Sequence, residues 1–229
     1  MSLKLSVVMP VYNERPTIRQ IIDKVQSVQI DKELIIVDDG STDGTRDILK
    51  ELEPSLQNTV IYYMDRNRGK GTAVRYGISK ATGDALVIQD ADLEYEPEEF
   101  HNLLEPFLKG RARVVYGSRF LGGHRTGYYW TTVGNKLLTW LTNVIYNTNL
   151  TDMETCYKLF GMDVLREIDL KCQRFDFEPE VTAKILKRGI HIYEVPISYM
   201  SREYSEGKKI TWQDGWEAFK TLAKYRFMD

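Results

Sequence analysis

The 229-residue sequence has few of the residues on which several common kinds of site depend. It contains two cysteines, Cys156 and Cys172, and three histidines that lie far apart, so we expect neither a disulfide framework nor a zinc site. The formal net charge is −2, which argues against nucleic acid as a partner. No apolar run approaches the ~18 residues of a membrane span, and a cytoplasmic protein is expected.

The composition is that of a protein with a substantial core, because 42% of the residues are hydrophobic and 28% are charged. Short apolar segments predict strands at 4–11, 33–37, 59–64, 85–89 and 113–116, with helices between them. In the helix predicted over 17–28, apolar residues recur at helical spacing: Ile18, Ile21, Ile22, Val25 and Val28. Strands separated by such helices predict an α/β fold with a mostly parallel sheet.

The second half of the chain predicts helices at 128–146, 182–188 and 212–227 and a strand at 191–195. Two of these helices carry apolar stripes. The stripes are Trp130, Leu137, Trp140, Leu141, Val144 and Ile145, and Trp212, Trp216, Phe219, Leu222 and Phe227. Core packing is the expectation for most of these residues, whereas the neighbouring Lys220, Lys224 and Arg226 favour helices that lie on a membrane surface. Both interpretations stay open.

Acidic segments follow three of the predicted strands, and they contain Glu14, Asp38-Asp39 and Asp90-Ala91-Asp92. In open parallel sheets, ligands bind beyond the carboxyl ends of the strands. Carboxylates crowded into one crevice repel each other, so they persist where they hold a cation or a ligand.

Asp90 and Asp92 form the most specific of these signals. Two carboxylates at i and i+2, directly after a buried strand, can reach one hard divalent ion such as Mg²⁺ or Mn²⁺. Glu94, two residues further, offers a third oxygen directly or through water. The segment therefore predicts a divalent metal site.

The sequence resembles the family 2 glycosyltransferases in five segments, which are SVVMPVYNE at 6–14, VDDGSTDGT at 37–45, NRGKG at 67–71, DADL at 90–93 and GSR at 117–119. Within that family it is most similar to the dolichol-phosphate mannosyltransferase-like, or polyprenyl-phosphate, glycosyltransferases. The resemblance implies a GT-A fold and a Rossmann-like sheet flanked by helices. It also implies inverting, metal-dependent transfer of one sugar from a GDP- or UDP-sugar to a polyprenyl or dolichyl phosphate. We expect one domain over 1–229, with a nucleotide-binding half at 1–118 and an acceptor half at 119–229.

The same resemblance implies roles for individual residues. Those expected to bind the donor nucleotide are Pro10, Tyr12, Glu14, Val37, Asp39, Asp90, Ala91, Arg202 and Lys208, the last two closing over its pyrophosphate. The implied metal ligands are Asp90, Asp92 and Glu94, although Glu94 stands where this subgroup often has Gln. Catalytic roles are implied for Asp92, Arg119 and Asp152, with Arg119 facing the acceptor phosphate.

The acceptor class stays open at this point. The segment TDMETCYK at 151–158 departs from the subgroup's pattern after Asp152. Asp152 is therefore a base, a residue that orients another group, or a helix cap. A phosphate acceptor, with a second pKa of about 6, requires no base, whereas a glycan or other hydroxyl acceptor does. A lipid-linked phosphate would also favour a peripheral position on the cytoplasmic membrane.

Overall fold

The computed structural model of the protein describes residues 3–202 and 212–228, except for the side chains of 212–214. Within these residues the strands are β1 Leu5–Val11, β2 Lys32–Asp38, β3 Thr59–Tyr63, β4 Ala85–Ile88, β5 Val114–Ser118, β6 His124–Arg125, β7 Lys158–Gly161, β8 Ile192–Pro196 and β9 Tyr199–Met200. The α-helices are α1 Ile18–Ser27, α2 Thr45–Leu52, α3 Lys70–Lys80, α4 Phe100–Leu108, α5 Tyr129–Tyr146, α6 Met162–Arg166, α7 Phe177–Lys187 and α8 Trp212–Phe227.

The central sheet confirms the predicted α/β class. Its strand order is β3-β2-β1-β4-β7-β5-β8, and β6 pairs with β9 in a separate small sheet. The pairs β1–β2, β1–β4, β2–β3 and β5–β8 are parallel. Only β7 in this sheet runs antiparallel to its neighbours β4 and β5. The sheet draws strands from both predicted halves of the chain.

The apolar residues that recur at helical spacing in α1 are the ones that its buried face contains. Ile18, Ile21, Ile22 and Val25 are all buried against the sheet in the main hydrophobic core. Strand β1 has apolar side chains buried on both faces, as expected for a central parallel strand.

Strand β7 was not predicted, because its first residue is a lysine and its apolar run is only Leu159 and Phe160. Lys158 is nevertheless fully buried. Its ammonium donates to Met153 O at 2.7 Å and lies 4.4 Å from the centre of the Tyr116 ring. Because β7 is antiparallel, it begins at the edge where β4 and β5 end. The segment before it, 151–157, is thereby brought to that edge.

Helix α7 begins at Phe177, five residues before the predicted start at 182. Pro179 lies in its first turn, where proline costs no backbone hydrogen bond. The prediction of 182–188 left out residues 177–181, which include this proline. The extra turn adds Glu178 to the buried face of α7.

The expectation of core packing is wrong for much of the two apolar stripes. On α5, Trp130 is 78% exposed and Trp140 58%, and Leu137 and Val144 are exposed as well. The side of α5 that packs against α7 and α8 includes Leu138 and, from the predicted stripe, Ile145. On α8, Leu222 is buried as predicted and Trp216 and Phe227 are exposed, while the side chain of Trp212 lies outside the described residues.

Candidate active site

The acidic segments that follow β2, β1 and β4 meet at one edge of the sheet, because these strands are neighbours. Asp39 N donates to Val11 O at 2.8 Å, which joins the ends of β1 and β2. Thr17 Oγ1 donates to Ala91 O at 2.7 Å and lies 3.1 Å from Glu14 Oε2. The predicted convergence of the three segments is therefore confirmed.

Two of the chain's own cations reach into this acidic cluster. Lys70 Nζ lies 2.9 Å from Asp90 Oδ2. Arg202 Nη2 lies 2.8 Å from Asp92 Oδ2, and its Nη1 lies 3.3 Å from Glu14 Oε2. Arg202 thus lies among the residues predicted to bind the donor, although it is more than a hundred residues away in sequence.

The negative charge of the cluster still exceeds what these two cations compensate. Burial raises the pKa of Asp92 to about 7, and the charges of Asp90 and Glu94 raise it as well. The opposing attraction of Arg202 is too weak to cancel these effects. Binding of a further cation next to Asp92 is therefore electrostatically favourable.

The oxygen donors of Asp90 and Asp92 suit a hard divalent cation. In the part of the chain that the structure describes, no group of three or more His, Cys, Asp or Glu side chains is arranged to hold a metal ion. Mg²⁺ is commonly bound by one or two carboxylates, and substrate phosphates and water complete its shell. The two aspartates therefore fit a metal that binds together with a nucleoside diphosphate.

Glu94 has other partners. Tyr199 Oη donates to Glu94 Oε2 at 2.8 Å, and Arg202 N donates to Glu94 Oε1 at 2.9 Å. Both side-chain oxygens thus accept hydrogen bonds from the 199–202 segment. The assignment of Glu94 as a third metal ligand stays a prediction.

Asp39 holds the loop that leads into α3. Arg68 N donates to its Oδ1 at 2.8 Å, and Gly69 N donates to its Oδ2 at 2.7 Å. Burial raises the pKa of Asp39, although these two hydrogen bonds act in the opposite direction. Asp39 therefore shapes one wall of the cleft, and its predicted contact with the base or ribose stays a prediction.

The other predicted donor residues differ in how they face the cleft. Val37 is fully buried in the main core, which leaves only its backbone for a contact with the base. Ala91 is also buried, and its predicted place beside the donor stays a prediction. Pro10 and Tyr12 are partly buried at the end of β1. Lys208 lies outside the described residues.

Arg119, directly after β5, and Asp152 form a bidentate ion pair. Arg119 Nε lies 2.7 Å from Asp152 Oδ2, and its Nη2 donates to Oδ1 at 2.8 Å. The backbone N of Arg119 also donates to Oδ2 at 3.0 Å. Because Asp152 is fully buried and engaged in this way, the geometry favours an orienting role for it over that of a base or a helix cap.

Glu154 is an ionisable residue of the site to which the sequence analysis assigned no role. Its Oε1 is buried and has no hydrogen-bond partner among the described residues. Burial raises the pKa of Glu154 to about 7, and the charge of Glu178 adds to this, whereas Lys158 and Arg119 oppose it. Its position two residues after Asp152 was the only signal in the sequence.

Lys70 and Glu178 were missed as well. Lys70 Nζ lies 3.0 Å from Glu178 Oε1 as well as 2.9 Å from Asp90 Oδ2, so it links the donor carboxylates to α7. Lys70 belongs to the NRGKG segment and was detectable there. Glu178 was not, because the predicted α7 began after it.

An exposed apolar face on α5 lies outside this cluster. Trp130, Leu137, Trp140 and Val144 follow one another at spacings of seven, three and four residues, which places them on one side of the helix. No helix within residues 3–202 or 212–228 has both the length and the apolar character needed to cross a membrane.

Comparison with known proteins gives consistent matches. The sequence model described as Glycosyl transferase family 2 matches residues 6–169. An undecaprenyl-phosphate mannosyltransferase of Micrococcus luteus is 28% identical over 90% of this chain and 87% of its own length. A UDP-N-acetylglucosamine–dolichyl-phosphate N-acetylglucosaminyltransferase of Methanococcus voltae is 28% identical over 94% and 93%, respectively.

Two further matches complete the comparison. The low-salt glycan biosynthesis hexosyltransferase Agl6 of Haloferax volcanii is 32% identical over 93% of this chain, which spans only 51% of that protein. The crystal structure of glucosyl-3-phosphoglycerate synthase from Mycobacterium tuberculosis, in complex with Mn²⁺, UDP and glucosyl-3-phosphoglycerate, superposes with a TM-score of 0.77. It is 19% identical and is matched over 99% of this chain and 81% of its own. The predicted GT-A fold is confirmed.

Replacing Glu154 by Gln is expected to raise the melting temperature more at about pH 8 than at about pH 5. The folded-state pKa of about 7 lies above the ordinary value of 4.5. The folded protein therefore keeps a proton that the unfolded chain loses, and stability falls as the pH rises from about 4.5 to 7. Gln resembles the protonated, neutral form of Glu154, so the variant does not lose this stability as the pH rises. Equal changes at both pH values, relative to the exposed control Glu98→Gln, would contradict the assignment.

Proposed function

Because the chain belongs to glycosyl transferase family 2, we propose that it moves one sugar from a GDP- or UDP-sugar to a polyprenyl or dolichyl phosphate. The buried pair between Arg119 and Asp152 is the observation that carries this proposal. The pair supplies the acceptor side with a cation, Arg119, whose orientation is fixed because both oxygens of Asp152 bind it. A single displacement of this kind inverts the configuration at the anomeric carbon.

The donor side is formed by the acidic cluster at the strand ends. Asp90 and Asp92 would hold Mg²⁺ or Mn²⁺ against the pyrophosphate, and the ion would act there as a Lewis acid for the departing nucleoside diphosphate. Arg202, 2.8 Å from Asp92, is placed to donate charge-assisted hydrogen bonds to the same phosphates. Lys208 is proposed to act with it.

The acceptor side favours an anion. A phosphate monoester is ionised at neutral pH, so its oxygen attacks without a base and requires only a cation to position it. Arg119 provides this cation, and Asp152 holds its guanidinium in one orientation. The printed names of two relatives, an undecaprenyl-phosphate and a dolichyl-phosphate transferase, support this acceptor class.

A glycan or other hydroxyl acceptor is the second candidate, and one observation favours it. A hydroxyl nucleophile requires a general base with a pKa near the working pH. Glu154, with a pKa raised to about 7 by burial and an oxygen without a partner among the described residues, has the properties of such a base. The acceptor side therefore contains one residue suited to each acceptor class.

The two candidates differ in which substitution stops transfer. With a polyprenyl phosphate acceptor, Arg119→Ala is expected to lower kcat/KM roughly ten- to a hundredfold, the loss of a charge-assisted contact, whereas Glu154→Gln retains near wild-type activity. The control is Arg113→Ala, which removes an exposed Arg–Asp pair with Asp163. Transfer only to hydroxyl acceptors, abolished by Glu154→Gln and unaffected by Arg119→Ala, would establish the second candidate instead.

The exposed face of α5 supports peripheral binding to the cytoplasmic membrane, where a lipid-linked acceptor would be found. Trp130 and Trp140 lie on that face, and Lys136 is close to it on the same helix. Tryptophan and lysine are suited to the boundary between lipid headgroups and acyl chains.

Binding to vesicles tests this surface. The double substitution Trp130→Ser and Trp140→Ser is expected to reduce partitioning onto phosphatidylcholine–phosphatidylglycerol vesicles at least about tenfold, because two large apolar side chains are lost from the contact. The control Leu108→Ser removes an equally exposed apolar side chain from α4. Equal sedimentation of both variants with the vesicles would exclude the α5 face as the membrane contact.

A further inference from the structure

We propose that Glu94 is a positioning residue: it fixes the 199–202 segment so that one end serves the donor site and the other end holds the acceptor arginine. This inference rests on the proposed function, because it takes the donor and acceptor sides as assigned above. It gives Glu94 a role other than that of a third metal ligand.

Three hydrogen bonds fasten the 199–202 segment to Glu94. Met200 N donates to the backbone O of Glu94 at 2.9 Å. Arg202 N donates to Oε1 at 2.9 Å, and Tyr199 Oη donates to Oε2 at 2.8 Å. Tyr95 and Tyr199 add an antiparallel bridge beside these bonds. The backbone and both carboxylate oxygens of one residue thus bind the segment, in addition to the pairing of β9 with β6.

The donor end of the segment depends on this attachment. The backbone of Arg202 is fixed by Glu94, and from there its guanidinium reaches Asp92 at 2.8 Å and Glu14 at 3.3 Å. Arg202 Nε also lies 3.7 Å from Glu94 Oε1. Glu94 therefore contacts both the backbone and the guanidinium of Arg202 and helps to place that guanidinium beside Asp92 and Glu14.

The acceptor end depends on it through Tyr199. The guanidinium carbon of Arg119 lies 5.2 Å from the centre of the Tyr199 ring, a distance typical of a cation–π contact. The hydroxyl of the same ring is held by Glu94 Oε2. Asp152 fixes Arg119 on one side and Tyr199 contacts it on another, so Glu94 acts on Arg119 through one intervening ring.

A metal-binding role would compete with these contacts. Both oxygens of Glu94 accept hydrogen bonds from the segment, and a rotation of the carboxylate away from the segment would cost these bonds. Asp90 and Asp92, with phosphate oxygens and water, already provide a shell of the kind that Mg²⁺ uses. The arrangement of Glu94 is therefore that of an anchor for the segment.

The test compares Glu94→Ala, Tyr199→Phe, the double variant and Asp92→Asn, with Glu96→Ala as the control. Glu96 is a neighbouring carboxylate that pairs with Lys24. For each variant, Mn²⁺ affinity is measured by electron paramagnetic resonance in the presence of GDP or UDP. The KM values for the nucleotide-sugar and for polyprenyl phosphate, and kcat, are measured alongside.

For a positioning residue, Tyr199→Phe should raise the acceptor KM about three- to tenfold, the loss of one hydrogen bond, and leave kcat and Mn²⁺ affinity within about twofold. Glu94→Ala should raise both KM values and leave Mn²⁺ affinity similarly unchanged. The double variant should match Glu94→Ala, because both substitutions remove the same contact. Tyr199→Phe keeps the ring but releases it from Glu94, so its result decides the question even if Glu94→Ala folds poorly.

The proposal would be overturned if Glu94→Ala lost Mn²⁺ affinity tenfold or more while Tyr199→Phe left the acceptor KM unchanged. Glu94 would then be a metal ligand. Asp92→Asn separates this failure from a failure of the proposed function. If Asp92→Asn retains wild-type Mn²⁺ affinity, the donor-site assignment itself is wrong. If Asp92→Asn loses it while Glu94→Ala retains it, both the donor site and the positioning role are supported.

Discussion

Repulsion between the carboxylates at the end of β4 governs the arrangement of the whole site. Asp90 and Asp92 are partly buried, and burial, together with the charges of Asp90 and Glu94, raises the pKa of Asp92 to about 7. Lys70 comes to it from the start of α3, and Arg202 comes from the segment after β9. Each of these cations ties a distant part of the chain to the strand ends, so compensation of the negative charge also holds the walls of the cleft together.

The antiparallel strand β7 connects this donor side to the acceptor side. It starts at the edge where its parallel neighbours end, and so delivers Asp152 and Glu154 next to Arg119. The buried ammonium of Lys158 holds the carbonyl group of Met153 within this turn. The proposed acceptor residues thus lie beside the proposed donor site because one strand of the sheet runs against the others.

The parallel strands and the acidic segments after them could be predicted from the sequence, because apolar runs and D-x-D spacing are local signals. What was missed depends on long-range pairing. Strand β7 was not predicted because it begins with a lysine, which is buried in the structure. The first turn of α7, with Pro179 and Glu178, was not predicted either. The orienting contact of Asp152 and the attachment of Glu94 to Tyr199 join residues that are 33 and 105 positions apart, respectively, and have no periodic signature.

The central claim is that the carboxylate cluster requires a divalent cation that binds jointly with a nucleoside diphosphate. Thermal unfolding with Mn²⁺ alone, with GDP or UDP alone, and with both together tests this most directly. The account predicts that one nucleotide and Mn²⁺ together raise the melting temperature by more than the sum of their separate effects, since each completes the binding site of the other. A ligand at a hundred times its Kd adds about 2.7 kcal/mol, which is readily measured. Additive shifts, or no shift with either nucleotide, would contradict the account.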